Sequence, residues 1–486
     1  MALSLHPADT AFGITLLFLA GIFIAGLGWH FFIFFLAALA GGAASILFRR
    51  TLWKECALFC CAMLAGALYY HLYFHIEDAK TNLPFGQKTT FSAIVADEPQ
   101  PTEKFLMLTA DAEPPLAGTI TILAPPESEF RYGELLTITG VVNPPDAAAG
   151  GGSGGNAYMF TPKITVLAEH RGFWLREWMI TIKLAILQKF REALPEDQAA
   201  LLGGIAFGSK VSFKQELKDA MALSGTTHLV AVSGYNITIV IVAASDLFKR
   251  FFSRRTTFFA AVIALVLFMF MVGAQASAVR AAIMGFLALV AREIGEQFSM
   301  RNAIVFTAAF MALLDPSILT GNLSFVLSFL SLAGIVYIGT PLKKFLRYEG
   351  DDGRAAGGLF DWKESAVTTM SAQLAVMPVL INSFGRFSCM AILANIFILA
   401  TVPLTMFFGL LLALFGSASH YLAFFAGKLV GLMLAYQLFV IRLFAALAVP
   451  LPLPLNSAAA IAFYYLILLV FVFSYGARGS RAGTLP

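Results

Sequence analysis

The chain has 486 residues, a formal net charge of +4 and a mean hydropathy of +0.79, with 59% hydrophobic and only 13% charged residues. Soluble domains carry about 25% charged residues and must cover their surface with polar groups, so this composition excludes a soluble globular protein. The long apolar runs indicate membrane helices, because membrane strands would alternate polar and apolar residues over about ten positions.

The first 75 residues contain three apolar runs, at about 11–28, 31–48 and 52–74. The N-terminus has neither a basic segment nor a small-residue cleavage site, so the first run is predicted to be a retained helix and not a signal peptide. Arg49, Arg50 and Lys54 surround the loop after the second run, which places that loop in the cytoplasm. The third helix is then predicted to end on the outer side.

Residues 76–170 differ from the apolar segments and are predicted to form a small extracytoplasmic β-domain. Pro, Gly and Asp turn signals separate five short β-rich segments, which are Thr90–Ala96, Phe105–Asp111, Thr119–Leu123, Leu135–Val142 and Ile164–Ala168. Five strands of this length fit an OB-like barrel, a fold that can bind single strands. The domain nevertheless has a net charge of −7, and an acidic surface repels phosphates, so an unspecialised β-domain is the alternative.

A Gly-rich stretch at 147–155 has the composition of a flexible linker, either natural or engineered. Residues 171–194 then form a basic amphipathic segment with Trp174 and Trp178. Tryptophans favour the membrane interface, so membrane anchoring is preferred over contact with nucleic acid for this helix.

Residues 195–486 are again mostly apolar. Candidate membrane segments lie near 229–247, 257–273, 276–292, 303–340, 364–384, 388–415, 422–447 and 458–476, with basic loops near 250 and 345. The predicted fold class is a polytopic α-helical membrane protein of about ten to twelve segments with an inserted, extracytoplasmic, OB-like β-barrel. Segments interrupted by Pro and Gly are typical of helices that line a cavity.

Four polar motifs interrupt these apolar segments. The first is GIAFGSK at 204–210 followed by HLVAVSGYN at 228–236, which contains His228, Ser233, Gly234 and Asn236. The later motifs are GAQASAVRA at 273–281, with Gln275, Ser277 and Arg280; the NLSFVLSF segment, with Asn322, Ser324 and Ser328; and a region with Gln373, Pro378, Asn395 and Pro403. Polar groups at membrane depth are costly and therefore face partners or water.

The order of these motifs resembles the ComEC-type competence proteins. That family carries phrases like GLLxGxxS, GxxHLLAxSGLH, GxxxSxxRA and FxLSF, in this order. Tyr235 and Asn236 stand where the family more often has Leu and His. The resemblance implies a channel in the cytoplasmic (inner) membrane that passes single-stranded DNA during transformation, with the polar residues named above along the DNA path. It also implies an extracytoplasmic DNA receptor, a translocase ATPase and a separate nuclease as partners, with the lipid bilayer around the channel and no cofactor.

Arg280 is the strongest of these candidates on physical grounds. A guanidinium in an apolar run needs a partner or a wet cavity, and it binds phosphate through two hydrogen bonds. Ser324, Ser328 and Ser331 follow helical spacing and share one face. Each serine can instead form an ordinary hydrogen bond between helices.

Catalysis is not expected from the sequence. The glycines at 203–208 lack the G-K-[ST] of a P-loop, and the seven histidines do not form the H-x-H-x-D-H cluster of the nuclease domain found in many ComEC-type proteins. An intramembrane hydrolase using His228 and Ser233 is one alternative, although residues five apart on a helix do not face each other. A small-molecule transporter is the other, but no internal repeat supports it.

The distribution of basic residues predicts the topology. In a variant without native cysteines, Ser153→Cys should react with an impermeant maleimide in intact cells, whereas Ser253→Cys should react only after lysis. Reaction of Ser153→Cys only after lysis would reverse the predicted orientation of the chain in the membrane.

Overall fold

The computed structural model describes residues 7–28, 53–102, 104–144, 157–209, 213–230, 234–273, 275–348, 362–385, 387–448 and 457–476. Their contacts define two compact units, one of residues up to 181 together with 262–326, the other of residues 182–261 together with 327 onwards. The predicted run at 31–48 and the whole linker at 147–155 lie outside the described residues, as do Arg49 and Arg50.

Helices make up most of the described chain. In chain order they are α1 (Pro7–Gly26), α2 (Trp53–Lys80), α3 (Trp174–Ala193), α4 (Glu196–Phe207), α5 (Gln215–Ser224), α6 (Gly234–Phe248), α7 (Arg254–Val272), α8 (Ala276–Ile294), α9 (Met300–Leu314), α10 (Ile318–Gly321), α11 (Leu323–Phe345), α12 (Trp362–Phe384), α13 (Ala391–Leu399), α14 (Val402–Ala418), α15 (His420–Ala446) and α16 (Ala458–Gly476).

Seven of these helices are long and apolar enough to cross a membrane, namely α1, α2, α7, α11, α12, α15 and α16. The bent pair of α13 and α14 makes an eighth span if it is counted as one. This confirms a polytopic helical membrane protein, with fewer spans among the described residues than the ten to twelve predicted. The predicted run at 31–48 lies outside the described residues. Among the others, α6 and α9 have only 15 residues each, and α8 contains Arg280, Arg292 and Glu293.

Seven strands form one sheet in the first unit. They are β1 (Lys88–Val95), β2 (Gln100–Pro101), β3 (Leu106–Ala112), β4 (Thr119–Ala124), β5 (Leu135–Val141), β6 (Ala157–Phe160) and β7 (Lys163–Ala168), in the order β6-β4-β3-β1-β5-β7 with β2 beside β3. All five predicted strands are present. Alternate residues such as Leu108, Ile122 and Ile138 are fully buried and form the core, as expected for strands with one face inward.

The last part of the sheet is the part that the sequence pattern missed. β6 pairs in parallel with β4, and β7 then pairs antiparallel with β5. Thr161 has a φ of +38° and Pro162 follows, so the chain bends and meets two different neighbours. Asn143, just after β5, also exchanges two backbone hydrogen bonds with Tyr158 of β6, of 2.9 and 3.1 Å. The seven strands thus form a mixed sheet whose pairings fit the expected OB-like, partly open barrel.

An arginine joins this barrel to the start of α3. The Arg176 guanidinium donates a 2.8 Å hydrogen bond to the Ala96 carbonyl, pairs with the Asp97 carboxylate and lies 4.6 Å from the Tyr132 ring centre. The Tyr132 hydroxyl in turn accepts a hydrogen bond from the Phe173 amide at 3.1 Å. Trp174 and Trp178 remain exposed on the same helix, which leaves apolar surface next to the barrel.

Two glycines allow α1 and α2 to touch through their backbones. A Cβ at Gly21 would lie 2.0 Å from the Met63 carbonyl oxygen, and one at Gly66 would lie 2.1 Å from the Phe18 carbonyl oxygen. Any larger residue would push the helices apart. Close approach through small residues is a common basis of helix association in membranes.

Pro378 interrupts the hydrogen bonding of α12, and side chains of α16 supply hydrogen bonds at the interruption. Proline has no amide proton, so the Leu374 carbonyl four residues earlier loses its helical donor. The Tyr464 hydroxyl donates a 2.7 Å hydrogen bond to that carbonyl, and the Tyr465 hydroxyl donates one of 2.9 Å to the next carbonyl, that of Ala375. The two tyrosines therefore attach α16 to α12 at the proline.

Loss of the Tyr464 hydroxyl should destabilise the protein. Tyr464→Phe leaves the Leu374 carbonyl without a donor, and we expect the free energy of unfolding to fall by about 0.6–1.7 kcal/mol. Tyr337→Phe is the matched control, since the Tyr337 side chain is exposed. The measurement is unfolding of both variants in the same detergent. Equal stability of the two would show that the hydrogen bond from Tyr464 to the Leu374 carbonyl does not stabilise the protein.

Candidate functional site

The turn after α5 packs against the start of α13. Gly225 has a φ of +70°, and a Cβ there would lie 2.3 Å from the Ala391 Cβ, so glycine is required for both conformation and space. Ser224 and Thr226 beside it are fully buried, with their hydroxyl oxygens 2.8 Å apart. The Ser388 hydroxyl also donates to the Leu223 carbonyl. The second unit thus brings the HLVAVSGYN motif close to the segment that contains Asn395.

The first motif surrounds a helix interruption. Residues 227–230 form a single 3-10 turn, and α6 begins at Gly234. His228 is exposed, with its Nδ1 atom 3.2 Å from the Gly225 carbonyl oxygen. Ser233, the other member of the predicted hydrolytic pair with His228, lies outside the described residues.

Asn236 acts as a cap for another helix. Its side chain is buried, and its amide donates a 2.8 Å hydrogen bond to the Ile205 carbonyl in the last turn of α4. The carbonyls in the last turn of a helix have no donor within that helix. Asn236 satisfies one of them from 31 residues away, which is a structural role in addition to any role along a DNA path.

The glycines at 203–208 end α4 and do not form a phosphate loop. The Gly208 amide donates to the Gly204 carbonyl at 2.8 Å and the Ser209 amide to the Gly203 carbonyl at 3.3 Å. Gly208 has a φ of +68°, which is typical of the residue after a helix. These amides are used within the helix end, so they are not available to bind phosphate.

A second polar centre lies where α13 and α14 meet at a 49° bend. Gln437 of α15 is fully buried, and its Nε2 atom donates 2.8 Å hydrogen bonds to the hydroxyl oxygens of Thr401 and Thr405. The Thr401 hydroxyl itself donates to the Ile398 carbonyl at 2.7 Å, and the Thr405 hydroxyl to the Thr401 carbonyl at 2.9 Å. Both hydroxyl protons are therefore already committed.

This arrangement fixes the orientation of the Gln437 amide. Because both threonines can only accept, the amide must direct its two N–H protons at them. Its Oε1 atom then has no hydrogen-bond donor among the described residues. An unsatisfied buried acceptor costs about 1–3 kcal/mol, so this atom can still accept a hydrogen bond from water or from another donor.

Two sequence-predicted residues share this property. Asn395 of α13 is almost fully buried and Gln373 of α12 is half-buried, and the side-chain oxygen of each has no donor within the described part of the chain. α13 packs against both α12 and α15. The second unit therefore carries amide oxygens with unused acceptor capacity on three neighbouring helices.

The remaining predicted residues lie mostly in the first unit. Gln275 immediately precedes α8, Ser277 is buried on it and Arg280 is half-buried. The Asn322 side chain accepts a 2.9 Å hydrogen bond from the Phe325 amide and so caps α11, while Ser324 is exposed. Ser328, in the second unit, uses its carbonyl to accept the Ser331 hydroxyl at 2.9 Å.

Sequence reasoning missed Gln437, Thr401 and Thr405. The available signal was a lone glutamine in a 27-residue apolar helix, since amides are expensive in lipid.

Among the described residues there is no group of three or more His, Cys, Asp or Glu side chains that could hold a metal ion.

Comparison with known proteins identifies the family. The sequence matches the family model described as Competence protein over residues 205–478, which is more than half of the chain. No curated protein and no solved structure matches the chain. The match covers Asn236, the Ile205 carbonyl that it caps and the bend between α13 and α14, and it ends shortly after α16. The chain therefore belongs to the competence protein family, which acts in DNA uptake.

Proposed function

We propose that this chain is a channel that passes single-stranded DNA through the cytoplasmic membrane during natural transformation. Membership of the competence family and the multi-pass helical fold support a role in DNA uptake at a membrane. The observation that carries the more specific proposal is the polar bend between α13 and α14, where buried amide oxygens have no donors among the described residues.

Neutral acceptors suit a single strand in transit. The bases of a single strand expose amino and imino N–H donors that a duplex keeps paired. The oxygens of Gln373, Asn395 and Gln437 can each accept such a hydrogen bond, and none of them carries a charge. Conduction requires contacts that are favourable but weak, which neutral amides provide for any base sequence.

Arg280 would contact the phosphate backbone of the DNA. It is half-buried on α8, a helix of otherwise apolar middle. A guanidinium binds a phosphodiester through two parallel hydrogen bonds. One such cation on an otherwise apolar stretch of helix would guide a polyanion without trapping it.

The orientation, the partners and the absence of catalysis form part of the same proposal. The barrel of residues 76–170 would lie outside the cytoplasm and receive DNA from an extracytoplasmic receptor. A separate translocase ATPase would supply energy, because the glycine segment at 203–208 is a helix end, and a separate nuclease would degrade the other strand. A small-molecule transporter and an intramembrane hydrolase gain no specific support from the described residues.

Substitution of Arg280 tests the channel proposal. Arg280→Ala should lower transformation by about a hundredfold, since a hydrogen-bonded ion pair is worth about 1.5–3 kcal/mol. Arg280→Lys should restore part of it, because the charge remains but the two-bond geometry does not. Ser328→Ala is the mild control. The measurement is transformation frequency divided by the amount of folded protein in the membrane, and normal frequency with Arg280→Ala would contradict the proposal.

Substitution of Gln437 tests the polar bend. Gln437→Leu keeps a similar volume and removes the unsatisfied oxygen, while both threonine hydroxyls keep their own carbonyls. We therefore expect folding stability to change by less than about 1 kcal/mol and DNA uptake to fall about tenfold.

Tyr436→Phe is the matched control on the same helix. The Tyr436 hydroxyl donates a 3.3 Å hydrogen bond to the Phe397 carbonyl next to the bend. Its loss should therefore lower folding stability and leave DNA uptake per folded molecule unchanged. Uptake that follows stability in both variants would show that Gln437 only holds the helices together.

A further inference from the structure

A groove of about 860 Å³ lies within the second unit, between the end of α3 and the helices α14 and α15. Its wall is apolar at Leu412, Phe424 and Leu432, and Lys189, Glu192 and Lys428 lie at its polar side. No motif of the proposed DNA path contributes to it. The groove thus combines apolar surface with basic groups outside the site described above.

Glycines shape the floor of this groove. A Cβ at Gly416 would contact the Lys189 side chain at 3.4 Å, and one at Gly427 would lie 3.7 Å from Ala193. A Cβ at Gly431 would lie 3.2 Å from the Gln198 Oε1 atom. Because Gly427 and Gly431 are one helical turn apart, they present one smooth face of α15 to the groove.

The charges around the groove are unequally balanced. The Lys189 ammonium lies 2.8 Å from the Glu192 carboxylate, and its hydrogen bond lowers the pKa of Glu192, so that this acid is ionised and already paired. Lys428 has no ion pair with the described residues, and its ammonium lies 5.4 Å from the Phe424 ring centre. The other cation of α15, Arg442, is paired with Asp197 at 2.6 Å.

Lys428 also lies inside a candidate membrane span. The span covers Tyr421–Ala446, and at 1.5 Å per residue Lys428 is about 10 Å from its start. A lysine at this depth extends its ammonium towards the headgroups. A phosphate at that level would neutralise it without leaving the apolar environment of the groove.

We propose that this groove binds an anionic phospholipid, with the headgroup phosphate on Lys428 and an acyl chain against Leu412, Phe424 and Leu432. The side chain of Lys428 contributes N–H donors to the phosphate oxygens, and the glycine face of α15 leaves room for the chain. Single-stranded DNA fits this site less well, because its sugars and bases find few hydrogen-bonding groups on the apolar wall.

Native mass spectrometry of the full chain with phosphatidylglycerol tests the proposal. The unmodified protein should retain phosphatidylglycerol over phosphatidylcholine, and Lys428→Ala should reduce that retention about tenfold. Gly427→Leu, which fills the groove and keeps the lysine, should reduce it similarly, whereas Lys428→Arg should preserve it. Lys163→Ala removes an exposed lysine of the β-barrel and is the control, with retention unchanged.

Competition separates the possible sources of phosphate. Neither inorganic phosphate nor a short single-stranded oligonucleotide should displace the lipid, and binding of the oligonucleotide should be the same in Lys428→Ala as in the unmodified protein. Equal retention of both lipids, or displacement by inorganic phosphate, would overturn the proposal. Loss of oligonucleotide binding in place of lipid binding would overturn it in favour of a nucleic-acid site. Each variant must elute as a single species before it is compared.

Discussion

The structure depends on hydrogen bonding of backbone carbonyls at the places where helices end or break in an apolar environment. Lipid offers no donors, so every such carbonyl must be satisfied from within the protein. The Tyr69 hydroxyl donates a hydrogen bond to the Leu313 carbonyl at the end of α9. The Tyr464 hydroxyl donates one to the Leu374 carbonyl near the proline of α12. Each repair joins two helices that are distant in sequence, so the same bonds that satisfy the backbone also determine which helices pack together.

This constraint separates the polar groups that are used in the fold from those whose hydrogen-bonding capacity is unused. The amide protons of Gln437 and Asn236 are used on threonine hydroxyls and on a carbonyl. These donors are therefore used within the protein, whereas the side-chain oxygens of Gln373, Asn395 and Gln437 have no donor among the described residues. An amide that holds a helix interruption together through its N–H groups thus keeps an oxygen that can still accept a hydrogen bond.

The fold was largely predictable from local patterns and the site was not. Apolar runs and turn residues located the helices and five of the strands, because periodicity and turn chemistry are local properties. β6 escaped because it has four residues and its partner β4 lies more than 30 positions away. Asn236 was recognised as an unusual residue, but its partner, the Ile205 carbonyl, is set by packing alone. Gln437 was missed for the same reason, since only the threonines reveal what its amide does.

The segment between β5 and β6 can change in length and sequence because its two ends are paired. Asn143 and Tyr158 exchange two backbone hydrogen bonds, so the two ends of this segment are held together where the chain leaves the sheet and returns. The entropy of closing a loop grows only slowly with its length, by about 0.6 kcal/mol for each doubling. The chain between these ends, residues 145–156, can therefore be lengthened, shortened or exchanged for a tag or a whole domain at little thermodynamic expense, which makes this position a practical one for labelling.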